Sequence, residues 1–155
     1  MSRAQLWTDA LFDAVLGRAE QSPRRRTNHN FHPTLEDNPH RFLNVMLRDT
    51  YVRPHRHRDP PKPEAFLVLR GELDVLLFDD DGAITDRFAL SAEGPARGVD
   101  LVPGLWHSLV VKSHHAVIYE VKPGPYDPAD DKEFAAWAPP EGDPSVPAYL
   151  AGLRG

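Results

Sequence analysis

Apolar residues along the chain follow two different periods, and each period predicts one kind of secondary structure. Between Ala4 and Glu20 they recur at intervals of three and four residues, the period of an amphipathic helix, and Pro23 marks its end. We expect this helix to pack on the outside of the domain. Its apolar members are Leu6, Trp7, Ala10, Leu11, Ala14 and Val15.

From residue 41 onward, short apolar runs bounded by turn residues predict a series of strands. These are 41–47, 64–70, 73–78, 83–90, 98–102, 106–112 and 116–121. Residues 64–70 are apolar on both faces and are expected to be buried. Gly71, the acidic run 79–82 and Pro103-Gly104 provide turns. Many short strands behind one helix predict an all-β sandwich or barrel, and a jelly roll fits best.

The segments on either side of the strands are harder to interpret. Residues 23–40 show no clean period, and Pro33 and Pro39 predict irregular surface backbone around His29, His32 and His40, which makes these histidines weak candidates for metal ligands. Residues 123–155 are rich in proline. Asp127 followed by Pro128 predicts one or two helical turns. The segment also contains four aromatic residues, which predict that it packs on the domain: Tyr126, Phe134, Trp137 and Tyr149.

Four residues stand out as candidate metal ligands. On extended backbone, His55 and His57 point to the same face, and Glu64 follows within ten residues. His107 follows the Pro103-Gly104 turn, and its strand aims the imidazole to the same side as Leu109 and Val111. Imidazole and carboxylate ligands suit zinc, iron, manganese, nickel or copper. Taken singly, the histidines could belong to a surface turn or be hydrogen-bonded residues of the core. The joint spacing of all four residues favours a metal site instead.

Length and composition narrow the class of protein. A chain of 155 residues suits a single domain over 1–155, with the helix in 1–22, the barrel in 41–122 and the packing segment in 123–155. The absence of cysteine excludes disulfides, thiol nucleophiles and cysteine zinc sites. A net charge of -5 with one short basic cluster, 24–26, argues against nucleic-acid binding. Because Asp9 and Asp13 interrupt the first apolar run, we expect neither a signal peptide nor a membrane anchor, and a cytoplasmic location.

The spacing of these residues resembles a known superfamily. His55-x-His57, then Glu64, Gly71 and Gly104-x-x-His107 resemble the two metal-binding motifs of the cupins. The longer phrases PRRRTNHNFHP, TYVRPHRH and EVKPGPYDPADDKEFAAWAPPEGD look like the WbuC-type cupin-fold metalloproteins, a bacterial family associated with polysaccharide and O-antigen gene clusters. The resemblance implies a double-stranded β-helix that holds one divalent metal ion through His55, His57, Glu64 and His107.

The sequence supports two hypotheses for function. One is a metal-dependent enzyme that acts on a small polar molecule, a sugar or sugar derivative in bacterial polysaccharide or lipopolysaccharide metabolism. The other is a non-catalytic, metal-dependent binding or sensing protein. Arg53, Lys122 and Tyr126 flank predicted strand ends and are candidates for binding a sugar, carboxylate or phosphate, and RRRTNHN could close over the opening. We nominate no general acid or base, and we expect a homodimer because jelly-roll edges need cover.

Overall fold

Ten β-strands and two helices form the part of the chain that the computed structural model describes, residues 3–155. In chain order they are α1 (Asp9–Gln21), β1 (Arg26–Asn30), β2 (His40–Leu47), β3 (His55–Arg56), β4 (Glu64–Arg70), β5 (Glu72–Phe78), β6 (Ile84–Ser91), β7 (Gly98–Leu101), β8 (Trp106–Val111), β9 (His115–Lys122), β10 (Glu133–Phe134) and α2 (Val146–Arg154). Among the helices within residues 3–155, none combines the length and hydrophobicity that a bilayer crossing requires.

The strands form two antiparallel five-stranded sheets. The first sheet has the order β1-β2-β9-β4-β7 and the second the order β10-β3-β8-β5-β6. Strands that follow one another along the chain therefore often lie in different sheets, which confirms the predicted jelly roll. The passage from β4 in the first sheet to β5 in the second depends on Gly71, which has a φ of +83°, and a Cβ there would lie 2.3 Å from the His115 carbonyl oxygen.

The interior between the sheets is apolar over much of its length. Phe66 and Val68 of β4, Leu109 of β8 and Ile118 of β9 are all at most 4% exposed and belong to one cluster. Because successive side chains of a strand point to opposite faces, His107, Leu109 and Val111 share the inner side of β8, as the sequence predicts. The interior changes from apolar to polar where the cluster ends.

Each sheet also carries a second apolar layer on its outer face. Helix α1 buries Phe12, Val15 and Ala19 against the first sheet, in a cluster that includes Leu43 and Val117. Helix α2 buries Leu150 and Leu153 in the cluster on the second sheet. Apolar packing covers the outer faces of both sheets, so strand positions that point away from the interior are also apolar. The alternation of apolar and polar residues that usually marks a strand is therefore hidden in the sequence.

The N-terminal helix is shorter than its sequence pattern predicts. It begins at Asp9 rather than Ala4, because the side chain of Thr8 caps it by accepting a hydrogen bond from the Leu11 amide at 3.1 Å. Leu6 therefore lies outside the helix and is 74% exposed. Trp7 also lies outside it, where its ring packs 4.4 Å from that of Tyr119.

Three other expectations for the fold were wrong. His29 lies in β1, which the sequence does not reveal because RTNHN is wholly polar, and His32 and His40 are buried rather than on the surface. The rings of His32 and His40 stack at 4.0 Å between centroids. Only one face of β4 is fully buried, since Leu67 is 40% exposed.

The C-terminal segment packs on the domain as predicted, with its helix in a different place. A single turn follows Asp127, whose backbone oxygen accepts the Asp131 amide at 2.8 Å. The nine-residue helix α2 comes later, at Val146–Arg154, with a proline in its first turn. Its short length and its Pro and Gly residues explain why the sequence pattern did not reveal it.

An ion pair ties this segment to the entry of β1 and should make stability depend on pH. Glu141 accepts hydrogen bonds from Arg24 at 2.8 and 2.9 Å and from Arg26 at 2.6 Å. Partial burial raises the pKa of Glu141, but these hydrogen bonds outweigh it and lower the pKa to about 2, from an ordinary 4.5. The stabilisation is therefore complete above pH 4.5 and is lost as the pH falls towards 2.

We predict that Glu141→Gln lowers the free energy of unfolding by about 1 kcal/mol at pH 7, a value discounted for solvent screening. The difference from the wild type should shrink as the pH falls to about 3, where the unfolded carboxyl is already protonated. Urea unfolding at both pH values measures this. Glu36→Gln serves as the control, since Glu36 makes no ion pair within residues 3–155. A difference that is independent of pH would contradict the prediction.

Candidate metal centre

The four predicted ligands meet at one end of the interior, and both sheets contribute. His55 lies in β3, His57 follows that strand, and His107 lies opposite His55 on β8 of the same sheet. Glu64 is the first residue of β4 and comes from the other sheet. The loop RDPPKP between His57 and Glu64 carries the chain from one sheet to the other, which is why a six-residue spacer still brings the carboxylate to the histidines.

The geometry of this metal cluster, His55, His57, Glu64 and His107, is compact. One ligand atom from each residue lies within 4.8 Å of the others, and the residues are only 3–8% exposed. Glu64 Oε2 lies 2.9 Å from His107 Nε2, and Glu64 Oε1 lies 2.9 Å from His57 Nε2. The sequence prediction that these four side chains converge is confirmed.

Backbone carbonyl groups fix the orientation of all three imidazoles. His55 Nδ1 donates to the Arg53 oxygen at 2.8 Å, and His107 Nδ1 donates to the Leu105 oxygen at 2.9 Å. His57 Nδ1 donates to the Asp131 oxygen at 2.5 Å. Because a carbonyl can only accept, each Nδ1 carries the hydrogen and each Nε2 is left for the centre. Metal-binding histidines are commonly held in this way.

Glu64 and the histidines of the cluster shift one another's pKa values. Burial raises the pKa of Glu64, but the hydrogen bond from His107 and the close approach of His57 outweigh burial and hold the pKa well below its ordinary value. Burial lowers the pKa of His107, and Glu64 reverses this so that the pKa is raised. Burial and the neighbouring His107 lower the pKa of His55 far below its ordinary value. Glu64 is thus an anion at neutral pH.

These residues fit a divalent metal ion. His57 Nε2 is fully buried, and although it lies near Glu64 it forms no hydrogen bond within the described chain. An unsatisfied buried nitrogen is costly unless a cation or proton binds it. Three imidazole nitrogens and one carboxylate are ligands that zinc, iron, manganese, nickel and copper accept.

A cavity of about 380 Å³, here named the main cavity, opens from the metal cluster. Its wall carries Glu120 of β9, which is 7% exposed and accepts a hydrogen bond from Asn44 Nδ2 at 3.1 Å. Burial raises the pKa of Glu120 to about 7, with a further contribution from the negative charge of Glu64. A carboxyl group of this kind can both take up and release a proton near neutral pH.

Basic side chains also line the main cavity. Lys122 and Lys132 reach it from β9 and from the segment that follows. Asp131, which is 1% exposed, holds Lys122 with its carboxylate oxygens at 3.2 and 3.3 Å from the ammonium nitrogen. The backbone oxygen of the same residue holds His57.

The residues predicted to bind a ligand have separate positions. Lys122 lines the main cavity, whereas Tyr126 lines a neighbouring one of about 210 Å³, the side cavity. Arg53 lines neither, since it donates to the Ala135 oxygen at 3.0 Å and packs on Phe134. The segment RRRTNHN contributes four residues to the lining of the main cavity, Arg24, Arg26, Thr27 and Asn28.

Sequence reasoning missed Asn44, Glu120, Asp131 and Lys132. A signal was available for two of them. Asn44 lies two residues before Met46 on β2, and Glu120 lies two residues after Ile118 on β9; both Met46 and Ile118 face the interior. A polar residue in the inward alternation of an apolar strand indicates a lined cavity. Asp131 and Lys132 lie in an irregular segment, where no such pattern exists.

Comparison with solved structures supports the fold. CapF from Staphylococcus aureus, described as a capsular polysaccharide assembling protein, has a TM-score of 0.61 at 22% identity over 73% of this chain. This chain spans only 30% of CapF. A Klebsiella pneumoniae protein with a double-stranded β-helix domain has a TM-score of 0.60 at 13% identity, covering 86% of this chain and 93% of that protein.

An enzyme also appears among the similar structures. L-ribose isomerase from Cellulomonas parahominis has a TM-score of 0.58 at 16% identity and covers 73% of this chain and 70% of the isomerase. At these identities the likeness shows the double-stranded β-helix fold of the cupins and nothing about activity. No curated protein sequence matches the chain. Residues 7–90, more than half of the 155 residues, match the family model described as a domain of unknown function, and the chain therefore belongs to the DUF6016 family.

Proposed function

We propose that this protein is a metal-dependent enzyme that moves a proton on a small, polar, sugar-like molecule. The observation that carries the proposal is the shared cavity: three imidazoles and a carboxylate meet at its inner end, and the buried carboxyl of Glu120 lies in its wall. Metal ligands alone would suit a binding protein equally well. A proton-transferring group beside them favours an enzyme.

His55, His57, Glu64 and His107 would hold the metal ion in this proposal. A divalent ion bound there supplies a Lewis acid that polarises a carbonyl or hydroxyl oxygen of the ligand. The carbonyl groups that fix each imidazole keep the ligand atoms in place before binding, so little ordering is needed. The identity of the metal follows from its availability as well as from this ligand set.

Glu120 would take a proton from the polarised molecule and return it. Asn44 donates to one carboxylate oxygen of Glu120 and so leaves the other oxygen free of hydrogen bonds within residues 3–155. That oxygen is the one available to a ligand. Proton abstraction next to a carbonyl group, followed by return at a neighbouring position, is the reaction class that one carboxyl group can carry out without a redox cofactor.

Several observations support a sugar or sugar derivative as the substrate. The main cavity of about 380 Å³ is lined by charged and amide side chains. The structural relatives include an L-ribose isomerase and a capsular polysaccharide assembling protein. The resemblance to WbuC-type cupins adds a role in bacterial polysaccharide or O-antigen metabolism to the proposal.

We predict that His57→Ala and His107→Ala each reduce bound metal to less than about a tenth of the wild-type content, because each removes one of four ligands. The matched control is His114→Ala, since His114 is exposed and outside the cluster. Elemental analysis of protein purified without a metal column measures the content. Equal occupancy in all three variants would exclude this set of ligands.

Removal of the metal should leave the protein folded. The apolar clusters between and outside the sheets do not include the metal ligands, so they supply a core without the ion. We predict that dialysis against a chelator lowers the melting temperature but preserves a cooperative transition and the β-sheet circular dichroism spectrum. An unfolded metal-free protein would show instead that the ion is a structural clip.

Glu120→Gln tests the enzymatic step itself. The metal-loaded protein is incubated with aldoses and ketoses in deuterium oxide, and proton NMR measures loss of the C–H signal next to the carbonyl group. We predict exchange by the wild type and a rate about 10²-fold lower in Glu120→Gln, with unchanged metal content. Glu93→Gln, on the surface, is the control. Absence of exchange in the wild type across the panel would favour the non-catalytic binding protein.

A further inference from the structure

Three lysines surround a single buried carboxylate beside the metal cluster. The ammonium nitrogens of Lys122, Lys62 and Lys132 lie 3.2, 3.9 and 4.0 Å from the carboxylate of Asp131. Glu64 and Glu120 also act on Lys122 and Lys132, but burial raises the pKa of Glu120 to about 7, so this carboxyl is only partly ionised and the three positive charges are not neutralised in full. This part of the structure therefore carries an excess of positive charge in a protein whose net charge is -5.

Two of the three lysines face open space. Lys122 and Lys132, here named the lysine pair, line both the main cavity and the side cavity, so they lie where the two cavities meet. Lys62 lines neither cavity; it is 6% exposed and donates to the Pro125 oxygen at 2.9 Å. The excess charge is thus presented to the cavities by the lysine pair, while Lys62 is engaged in the fold.

Lys132 is the less satisfied member of the pair. It makes no hydrogen bond within residues 3–155, and its carboxylate contact, at 4.0 Å, is long for a hydrogen bond. Burial lowers the pKa of Lys132, and the positive charge of Lys122 lowers it further. A bound anion would offset both effects, because it would supply hydrogen-bond acceptors and neutralise the repulsion between the two ammonium groups.

We propose that the lysine pair is an anion subsite, and that the molecule bound in the main cavity carries a carboxylate or phosphate group. The proposal rests on the function proposed above and narrows its substrate class from polar molecules to anionic sugars such as sugar acids or sugar phosphates. The anionic group binds where the cavities meet, and the uncharged part of the molecule extends to the metal cluster.

The other charges in the main cavity determine the direction in which such a molecule binds. Glu64 and Glu120 line the same cavity as the lysine pair, and their carboxyl groups repel an anionic group from themselves. Arg24 and Arg26 lie in the same lining, but both donate to Glu141, so they are less available to a bound anion than the lysine pair. An anionic sugar would therefore bind with its charged group towards the lysine pair and its neutral hydroxyl or carbonyl groups towards Glu120.

Asp131 is a positioning residue for both ends of this arrangement. Its carboxylate fixes Lys122, and its backbone oxygen fixes the metal ligand His57 at 2.5 Å. Because Asp131 contacts both Lys122 and His57, this one residue fixes the distance between the anion subsite and the metal cluster. Such a link favours ligands of one length between the anionic group and the group that reaches the metal.

Binding of matched sugars tests the subsite. Isothermal titration calorimetry is carried out with D-glucose, D-glucuronate and D-glucose 6-phosphate on the metal-loaded protein. We expect at least one of the two anions to bind about tenfold or more tightly than glucose, as charge-assisted hydrogen bonds require. The preferred anion identifies the group as carboxylate or phosphate. Equal binding of all three sugars, or binding of none, would overturn the proposal.

The lysine variants separate direct contact from general electrostatics. Lys132→Met should abolish the preference for the anion, whereas Lys62→Met removes the same charge beside the same Asp131 and should change the affinity by less than about threefold. Equal losses in both variants would overturn the proposal.

Metal content and a second titration of metal-stripped protein separate this proposal from the function it deepens. Low metal content in the wild type would refute the metal-dependent enzyme. An anion preference that survives in the stripped wild type and disappears in stripped Lys132→Met would still support the subsite. A normal metal content without any anion preference would refute the subsite alone.

Discussion

The buried carboxylate of Glu64 is the constraint on which the rest of the site depends. An ionised carboxylate that is 5% exposed is stable only if donors or cations surround it, and here His57 and His107 approach its two oxygens at 2.9 Å each. Glu64 belongs to one sheet, whereas His55 and His107 belong to the other and His57 directly follows its strand β3. The same interaction therefore creates the metal cluster and joins the two sheets at the polar end of the interior.

The polar end can exist because apolar packing elsewhere supplies the stability. Three apolar layers, one between the sheets and one on each outer face, do not involve the four residues of the candidate metal site. The cavity wall can then hold groups that oppose folding, such as the buried carboxyl of Glu120 and the crowded ammonium groups of Lys122 and Lys132. Buried ionisable groups of this kind are typical of functional sites, where they lower the stability of the folded protein and serve binding or catalysis instead.

The sequence predicted most of the barrel and the whole metal cluster, because both follow from local patterns. The strands from β2 to β9 have apolar runs and turn residues, and the four ligands have a restrictive spacing. What it missed depends on distant partners. The polar strand β1 forms only because β2 lies beside it, and Lys132 enters the cavity only because Asp131 anchors an irregular segment near His57. Neither leaves a periodic signal.

Asp131 contacts His57 with its backbone and the lysines with its side chain. A residue of any other type at this position still presents a backbone carbonyl oxygen to His57, so the imidazole keeps its acceptor while the charges around the lysine pair change. A single substitution at this position thus changes the charge that lines the cavities and leaves the orientation of His57 in place. This loop is the part of the fold where the charge of the cavities can vary while the four-residue cluster of His55, His57, Glu64 and His107 keeps its geometry.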